Sequence, residues 1–464
     1  MENCGFKVLR RDEPGYEEAR RGACWNGFVP ERYPEIIAYP EQNEHVEFAV
    51  QYARSIGMSV IAKSGGHSWT ASFLREGGML LDMVNMKNFT FDKEQRTAEV
   101  QPACHGADLN AAIMPHGLMF PGGHCPSVGI GGFLLQGGFG WNSRKWGIAC
   151  ESVTAIDVVN AEGKLIHADE NENSDFYWAA RGAGCGYFGV VCRFYLKLHV
   201  LPTGIMYSRY ILPVSALDEL YLSMEAQAHK LPRSVEVGTF IGRDQDGFKE
   251  PTIAFYGDAL SETEEEALEG LKIMDDLPVI KQAMHVERFQ RCTLKTMLGR
   301  FEAILDNRGR HYNTDNFWSD SPVVKLLPAV KDIIATLPPA PSHLFMLFWF
   351  PEDRELPDMA FSMQSKIWMS LYAISDDAAD DKPNLQYVVD RIRAVDEWST
   401  GTQLADENLP GHPAKFMQVE KFEKLERLRA KHDPEGRFFT YLRVPRVFED
   451  VKAKISRTKT GARI

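Results

Sequence analysis

Apolar positions follow a helical period in some stretches and a period of two in others, and these changes lay out the elements. In residues 43–57, Val46, Ala49, Val50, Ala53 and Ile56 recur on one helical face and Gly57 is suited to the end of the helix. MSVIAK (58–63), 79–84 and 97–103 read as short strands, and 105–116 as a helix. Residues 152–168 read as two strands joined at Glu162-Gly163, 176–181 as a short helix and 190–199 as an alternating strand. Near 201–204 glycine thins out and longer alternating strands take over: MYSRYILP, VEVGTFIG, PTIAFYG and HLFMLFWF. A domain boundary is placed there, and the second half is expected to be an antiparallel sheet backed by helices. One of those helices is expected to start from a capping box of Ser261 and Glu264, to carry Leu268, Leu271 and Met274 inward, and to stop at Pro278. The acidic stretch 375–382 reads as a solvated loop. Phe422, Leu425 and Leu428 share one face of a last, basic helix, which ends before a turn at Pro434 and Gly436.

Glycine interrupts this pattern in three places. Residues 121–140, PGGHCPSVGIGGFLLQGGFG, hold eight glycines in the nineteen positions from Gly122, where 37 in 464 would supply about one and a half. Glycine lets a main chain approach a ligand without a Cβ in the way, so a close backbone approach is expected here. Upstream, SGGHS (64–68) follows a strand directly, the kind of junction that aims amides at a phosphate. The third loop is 182–189. His67 lies in the first loop and Cys125 in the second. No GxxxxGK[ST] loop occurs and the glycines do not fit the βαβ dinucleotide fingerprint. Three loops so far apart in sequence imply a long ligand, with a dinucleotide fitting better than a mononucleotide.

Composition narrows the classes. Hydrophobic content of 44% with 25% charged residues fits a globular chain, no apolar run reaches the length of a membrane span, and the charged N-terminus has no signal-peptide pattern. The expected compartment is the cytoplasm, with no membrane partner. A net charge of −12 argues against a nucleic-acid partner. The eight cysteines form no CxxC pair, and all but Cys125 read as packed, reduced thiols. His105, His116, His124 and Cys125 lack the spacing and carboxylate partners of a metal site, so none is expected.

The loops resemble those of flavoproteins of the vanillyl-alcohol oxidase/p-cresol methylhydroxylase type, within them the berberine-bridge-enzyme-like oxidases. SGGHS is similar to the loop whose histidine bonds the flavin 8α-methyl, and HCPSVGIGG (124–132) to the loop whose cysteine bonds flavin C6. RGAGCGYFGVV (181–191) and LERLRAKHDPEGRF (425–438) are similar to the third loop and to the C-terminal helix and turn. The resemblance implies an α+β fold: an FAD-binding domain (1–203 and 405–464) with an inserted antiparallel-sheet substrate domain (204–404). It also implies FAD bound covalently through His67 and Cys125. Lys63, Ser64, Gly65, Gly66 and Ser68 would lie at the pyrophosphate, Val128, Gly129, Gly131 and Gly132 in the cysteine loop, and Gly189 and Val191 in the third loop. Val128 stands at the position where valine accompanies oxidases; a small residue kept for packing is the other reading.

Other positions depart from that family. Its Asn-Tyr pair is replaced by Lys421-Phe422, its Tyr-x-Asn by Gly401, Thr402 and Gln403, and Tyr187 stands where asparagine is common. The motifs therefore name no catalytic base. Candidates on the second-domain strands are His311, Tyr312, His343 and Tyr372, beside an aromatic group of Phe345, Phe348, Trp349, Phe350 and Trp368, half of which must be core by alternation. The expected reaction moves a hydride from a C–H of a small alcohol, amine or phenolic substrate to flavin N5, with O2 reoxidising the flavin to give H2O2. A dehydrogenase with another acceptor and a flavin-binding protein without turnover remain as alternatives, and the oligomeric state stays open.

Overall fold

The computed structural model describes residues 4–305, 309–351 and 354–451. The ends of the expected FAD-binding domain, 1–3 and 452–464, lie outside the described residues. In the first half, a four-stranded sheet runs in the order Lys7–Arg10, Ile36–Tyr39, Met79–Asp82, Val60–Lys63, the last three parallel. The helix Asn43–Ser55 forms the crossover and buries Val46, Ala49, Val50 and Ala53, as its periodicity requires. Gly57, just past its end, takes φ +69°. Met79–Asp82 is shorter than expected because Asp82 turns from strand to cap: its carboxylate accepts from the Val84 amide and binds Lys63 Nζ at 2.9 Å. A second, antiparallel sheet orders Phe89–Asp92, Thr97–Val100, Val190–Lys197, Val153–Val159 and Leu165–Ala168.

The second half is built on a seven-stranded antiparallel sheet in the order His285–Arg291, Gly204–Pro213, Thr252–Ser261, Val235–Gly242, His343–Phe348, Ile367–Ser375, His311–Ser319. Its central strands are buried on both faces. Leu344, Met346, Phe348, Met369 and Leu371 join one core with the helices Leu217–Gln227, Glu264–Asp275, Val323–Thr336 and Asp381–Arg393. The alternate positions, including Phe345, Leu347, Trp368 and Tyr372, join a separate core that includes Trp69 and Trp141 of the glycine-loop half. Of the aromatic group in that sequence region, Phe348 thus belongs to the helix side and Phe345 and Trp368 to the loop side.

Two local expectations are corrected. Ser261 ends a strand, fully buried, with its hydroxyl bonded to that of Ser234 at 2.8 Å, so Thr263 caps the helix Glu264–Asp275 instead, accepting from the Glu266 amide. That helix buries Ala267, Leu271 and Met274, while Leu268 is half-buried. The acidic stretch is exposed as expected, but its end is not loop: a short turn, Ala378–Asp380, leads into the helix Asp381–Arg393, where Asp381 complements the positive helix end. Asp381 also binds His311 Nδ1 at 2.8 Å. No helix among the described residues is long and apolar enough to cross a membrane.

One buried ion network ties the chain after the sheet back onto it. His412 binds Asp315 at 2.7 Å and Asp396 at 3.0 Å. Burial works against its charge, but these two carboxylates raise its pKa to about 9 from the ordinary 6.5. A raised histidine stabilises fully below its unfolded pKa and loses that contribution as pH rises through the folded one. His412→Ala is therefore expected to cost about 3–5 kcal/mol, since it leaves the Asp315 charge buried without its partner. Thermal melts should show the largest gap between the two proteins below about pH 6.5, shrinking above about pH 9.

Candidate functional site

Two glycine loops meet main chain to main chain. A Cβ on Gly65 would stand 2.6 Å from the Gly129 nitrogen, and one on Gly129 would stand 2.7 Å from the Gly65 nitrogen. Gly131 packs just as closely, where a Cβ would lie 2.3 Å from Ser64 Oγ. Gly66 takes φ +74°. Among the described residues, none of the four consecutive amides of Gly65, Gly66, His67 and Ser68 donates to a protein acceptor. Lys63 leads into this loop, its ammonium held by Asp82. Gly132 differs from its neighbours, because a Cβ there would meet nothing within 4 Å.

The loop contact brings His67 and Cys125 together. His67 Nε2 lies 2.9 Å from Ser127 Oγ, and Cys125 Sγ lies 3.5 Å from the same oxygen. The imidazole stacks on Trp25 at 4.6 Å. Burial, helped by the nearby His105 and Lys63, lowers its pKa to about 3, so the ring is neutral and its unprotonated nitrogen is a nucleophile at physiological pH. Burial raises the Cys125 thiol. The adjacent His124 crosses to the sheet, binding Glu236 at 3.1 Å and lying against Trp141 and Phe301. Burial opposes charge on His124, yet Glu236 carries the net shift upward.

A continuous cavity, open at its mouth, runs from these loops to the loop-side face of the seven-stranded sheet. At the sheet end Tyr372 donates to Asp406 Oδ2 at 2.5 Å, and Trp69 Nε1 donates to Asp406 Oδ1 at 2.6 Å. Burial raises the Asp406 carboxyl despite those bonds. Burial first, and then the Asp406 charge, lifts Tyr372 well above its ordinary value, so the phenol keeps its proton. His343 stacks on Tyr372 at 4.8 Å and gives its Nδ1 proton to the Pro341 carbonyl at 3.0 Å, which leaves Nε2 as an unpartnered acceptor. Burial holds this ring neutral, with a pKa of about 4.

Relatives match this chain over nearly its whole length. A family model described as an FAD binding domain matches residues 34–169. The FAD-linked oxidoreductase nodO of Hypoxylon pulicicidum is 31% identical over 93% of this chain and 96% of its own length. This chain belongs to the FAD-linked oxidoreductases. Xylooligosaccharide oxidase of Thermothelomyces thermophilus is 39% identical over 37% of the chain and 35% of its own. The fold is that of 6-hydroxy-D-nicotine oxidase from Arthrobacter nicotinovorans, with a TM-score of 0.81 at 20% identity over 95% of this chain and 98% of that one. The oxidoreductase thus has the fold expected from its motifs, an FAD-binding unit with an antiparallel-sheet domain.

The cavity fits FAD on its own geometry. It is long, a nest of free amides lies at one end as an anion requires, and Gly132 opens onto it without a side chain. Of the residues named from the motifs, Lys63, Ser64, Gly65, Gly66, His67, Ser68, Cys125, Val128, Gly129, Gly131, Gly132, Gly189 and Val191 all line it. Tyr187 lines it too, with a buried hydroxyl that has no partner among the described residues. Of the base candidates, His343 and Tyr372 line the cavity and the other two do not. Tyr312 packs behind Trp25 and Trp69 with its backbone held by Asn26, and His311 is bound to Asp381.

The departures in sequence become intelligible here. Lys421 and Lys424 hold Asp358 on the outside of the molecule, and Phe422 is core, stacked on Phe448 at 3.9 Å. Gln403 lines the cavity, and Asp406, three residues further on, was missed. The only signal for it was its place beside the altered 401–403 stretch.

Two glycine substitutions separate packing from ligand space. Gly65→Ala is expected to lower the melting temperature of the protein and its flavin content together. Gly132→Ala is expected to leave the melting temperature of flavin-free protein unchanged and still reduce flavin content, as read from the ratio of flavin to protein absorbance.

Proposed function

We propose that this FAD-linked oxidoreductase is an oxidase that converts the CH–OH or CH–NH group of a small organic substrate to the carbonyl or imine, with O2 as electron acceptor and H2O2 as product. The observation that carries this reading is the single cavity joining the loops of His67 and Cys125 to the Tyr372–Asp406 pair. A bound FAD would supply the chemistry the residues lack, acceptance of a hydride from the substrate carbon and transfer of both electrons to O2. The loop amides of 65–68 would hold its pyrophosphate, and Lys63, paired with Asp82, leads into that loop. His67 and Cys125, bridged by Ser127, would be the attachment points, and the neutral imidazole of His67 supports a role as nucleophile.

Tyr372 receives the proton that the substrate hydroxyl or amine loses, while its own passes to Asp406 along their hydrogen bond. Burial raises the affinity of Asp406 for a proton, which suits its carboxylate to accept one from Tyr372. His343 is too weak a base to compete and serves as a hydrogen-bond acceptor beside the phenol. Val128 lines the cavity among the cysteine-loop residues, in keeping with the oxygen-access position that its motif implies.

The test is anaerobic and aerobic turnover of purified protein. A substrate should bleach the visible flavin band without air, and in air should yield one H2O2 per carbonyl formed; dye reduction without H2O2 would make the enzyme a dehydrogenase. Tyr372→Phe is expected to slow flavin reduction by about 10²–10⁴-fold, the usual contribution of a positioned acid or base, at unchanged flavin content. Denatured wild-type protein should keep its flavin through precipitation, and the double variant His67→Ala/Cys125→Ala should release it.

A further inference from the structure

We infer that the substrate is a neutral, largely apolar, ring-bearing alcohol or amine, and not a carbohydrate; this rests on reading the cavity as an FAD site. The sheet end of the cavity is walled by Phe240, Phe301, Trp318, Phe345, Leu347 and Trp368. Phe240 stacks on Phe345 at 4.4 Å, Phe345 meets Trp368 edge-on at 5.4 Å, and Trp368 faces Trp318 at 6.3 Å. This wall follows the strand register. Phe240 pairs with Phe345 across one strand pair, and Leu347 with Trp368 and Trp368 with Trp318 across the next two. Along one strand, His343 to Leu347 covers four residue steps, roughly 13 Å at about 3.3 Å each.

Most of the polar groups near this wall are engaged by protein; among the described residues the exceptions are Trp318 Nε1 and His343 Nε2, each buried without a partner. Tyr372 and Trp69 donate to Asp406, the His343 Nδ1 proton goes to Pro341, and Gln403 Oε1 accepts from the Ala405 amide at 2.7 Å. The charged groups that line the cavity are likewise paired, Asp406 with these donors and Lys63, in the first glycine loop, with Asp82. A sugar ring stacks on one aromatic platform, but its edge carries hydroxyls that must find partners or cost free energy on burial. An ionised substrate would leave its charge in the same position. A flat hydrocarbon body gains from every wall and needs one polar group, presented to Tyr372.

Flavin-loaded protein titrated anaerobically with 2-naphthylmethanol and with xylobiose tests this, reading both the flavin band and tryptophan fluorescence, since Trp318 and Trp368 lie in the wall. Naphthylmethanol is expected to bind with a Kd at least about tenfold lower than xylobiose. Phe345→Asn should raise the naphthylmethanol Kd at least about tenfold, while Phe345→Leu, which keeps the wall apolar, should stay within about threefold of wild type. Xylobiose binding as tightly as naphthylmethanol, or a Phe345→Leu variant that loses naphthylmethanol binding as fully as a polar one, would overturn the inference. Failure of the FAD reading would look different: protein purified without a flavin band, in which the tryptophan signal alone still ranks the two probes.

Discussion

At Gly65 and Gly129 two main chains pass so closely that neither residue has room for a Cβ, and much of the site depends on that crossing. It sets the strand-to-loop junction after Val60–Lys63 against the start of the helix Ile130–Leu135. It also brings His67 and Cys125, far apart in sequence, to the two sides of one serine hydroxyl. The amides of the first loop then face the cavity instead of a neighbouring strand. A side chain at either crossing glycine would push the loops apart and move both nucleophiles with them.

The seven-stranded sheet supplies the other wall, and its double burial explains how one element serves two purposes. Because successive side chains point to opposite faces, the residues that pack on the helices and those that face the loops are interleaved on the same strands. Rigidity on the helix side therefore holds the loop-side aromatics and Tyr372 in place. The two halves are joined across the interface by polar contacts as well as packing: His124 to Glu236, Trp69 to Asp406, and Arg144 to the carbonyl of Trp349. The first of these is adjacent to Cys125 and the second reaches the carboxylate that binds Tyr372, so domain docking and site geometry are set by the same bonds.

Much of this was legible along the chain. The helix at Asn43–Ser55, the paired strands around Glu162-Gly163 and the long strands after 203 follow from periods that any local segment carries. The cofactor side was legible because glycine loops are local signatures of close backbone approach. Errors came where a residue's partner is remote. Ser261 has the chemistry of a cap but gives its hydroxyl to Ser234, and the acidic run after Ser375 is drawn into a helix whose first residue binds His311. Asp406 carried no local mark beyond its place beside the altered 401–403 stretch, since its importance comes from Trp69 and Tyr372, each separated from it by hundreds or tens of residues.

By itself, then, the amino-acid order determined the elements, the three loops and the class of cofactor they fit, because periodicity and glycine content act within a few residues. Tertiary structure alone decided which of His311, Tyr312, His343 and Tyr372 reach the cavity, that Phe422 is core and Lys421 outward, and that the sheet end of the cavity is walled by aromatics. The physical reason is that strand residues alternate between faces, and only the packing of the sheet between helices and loops settles which face meets the cavity.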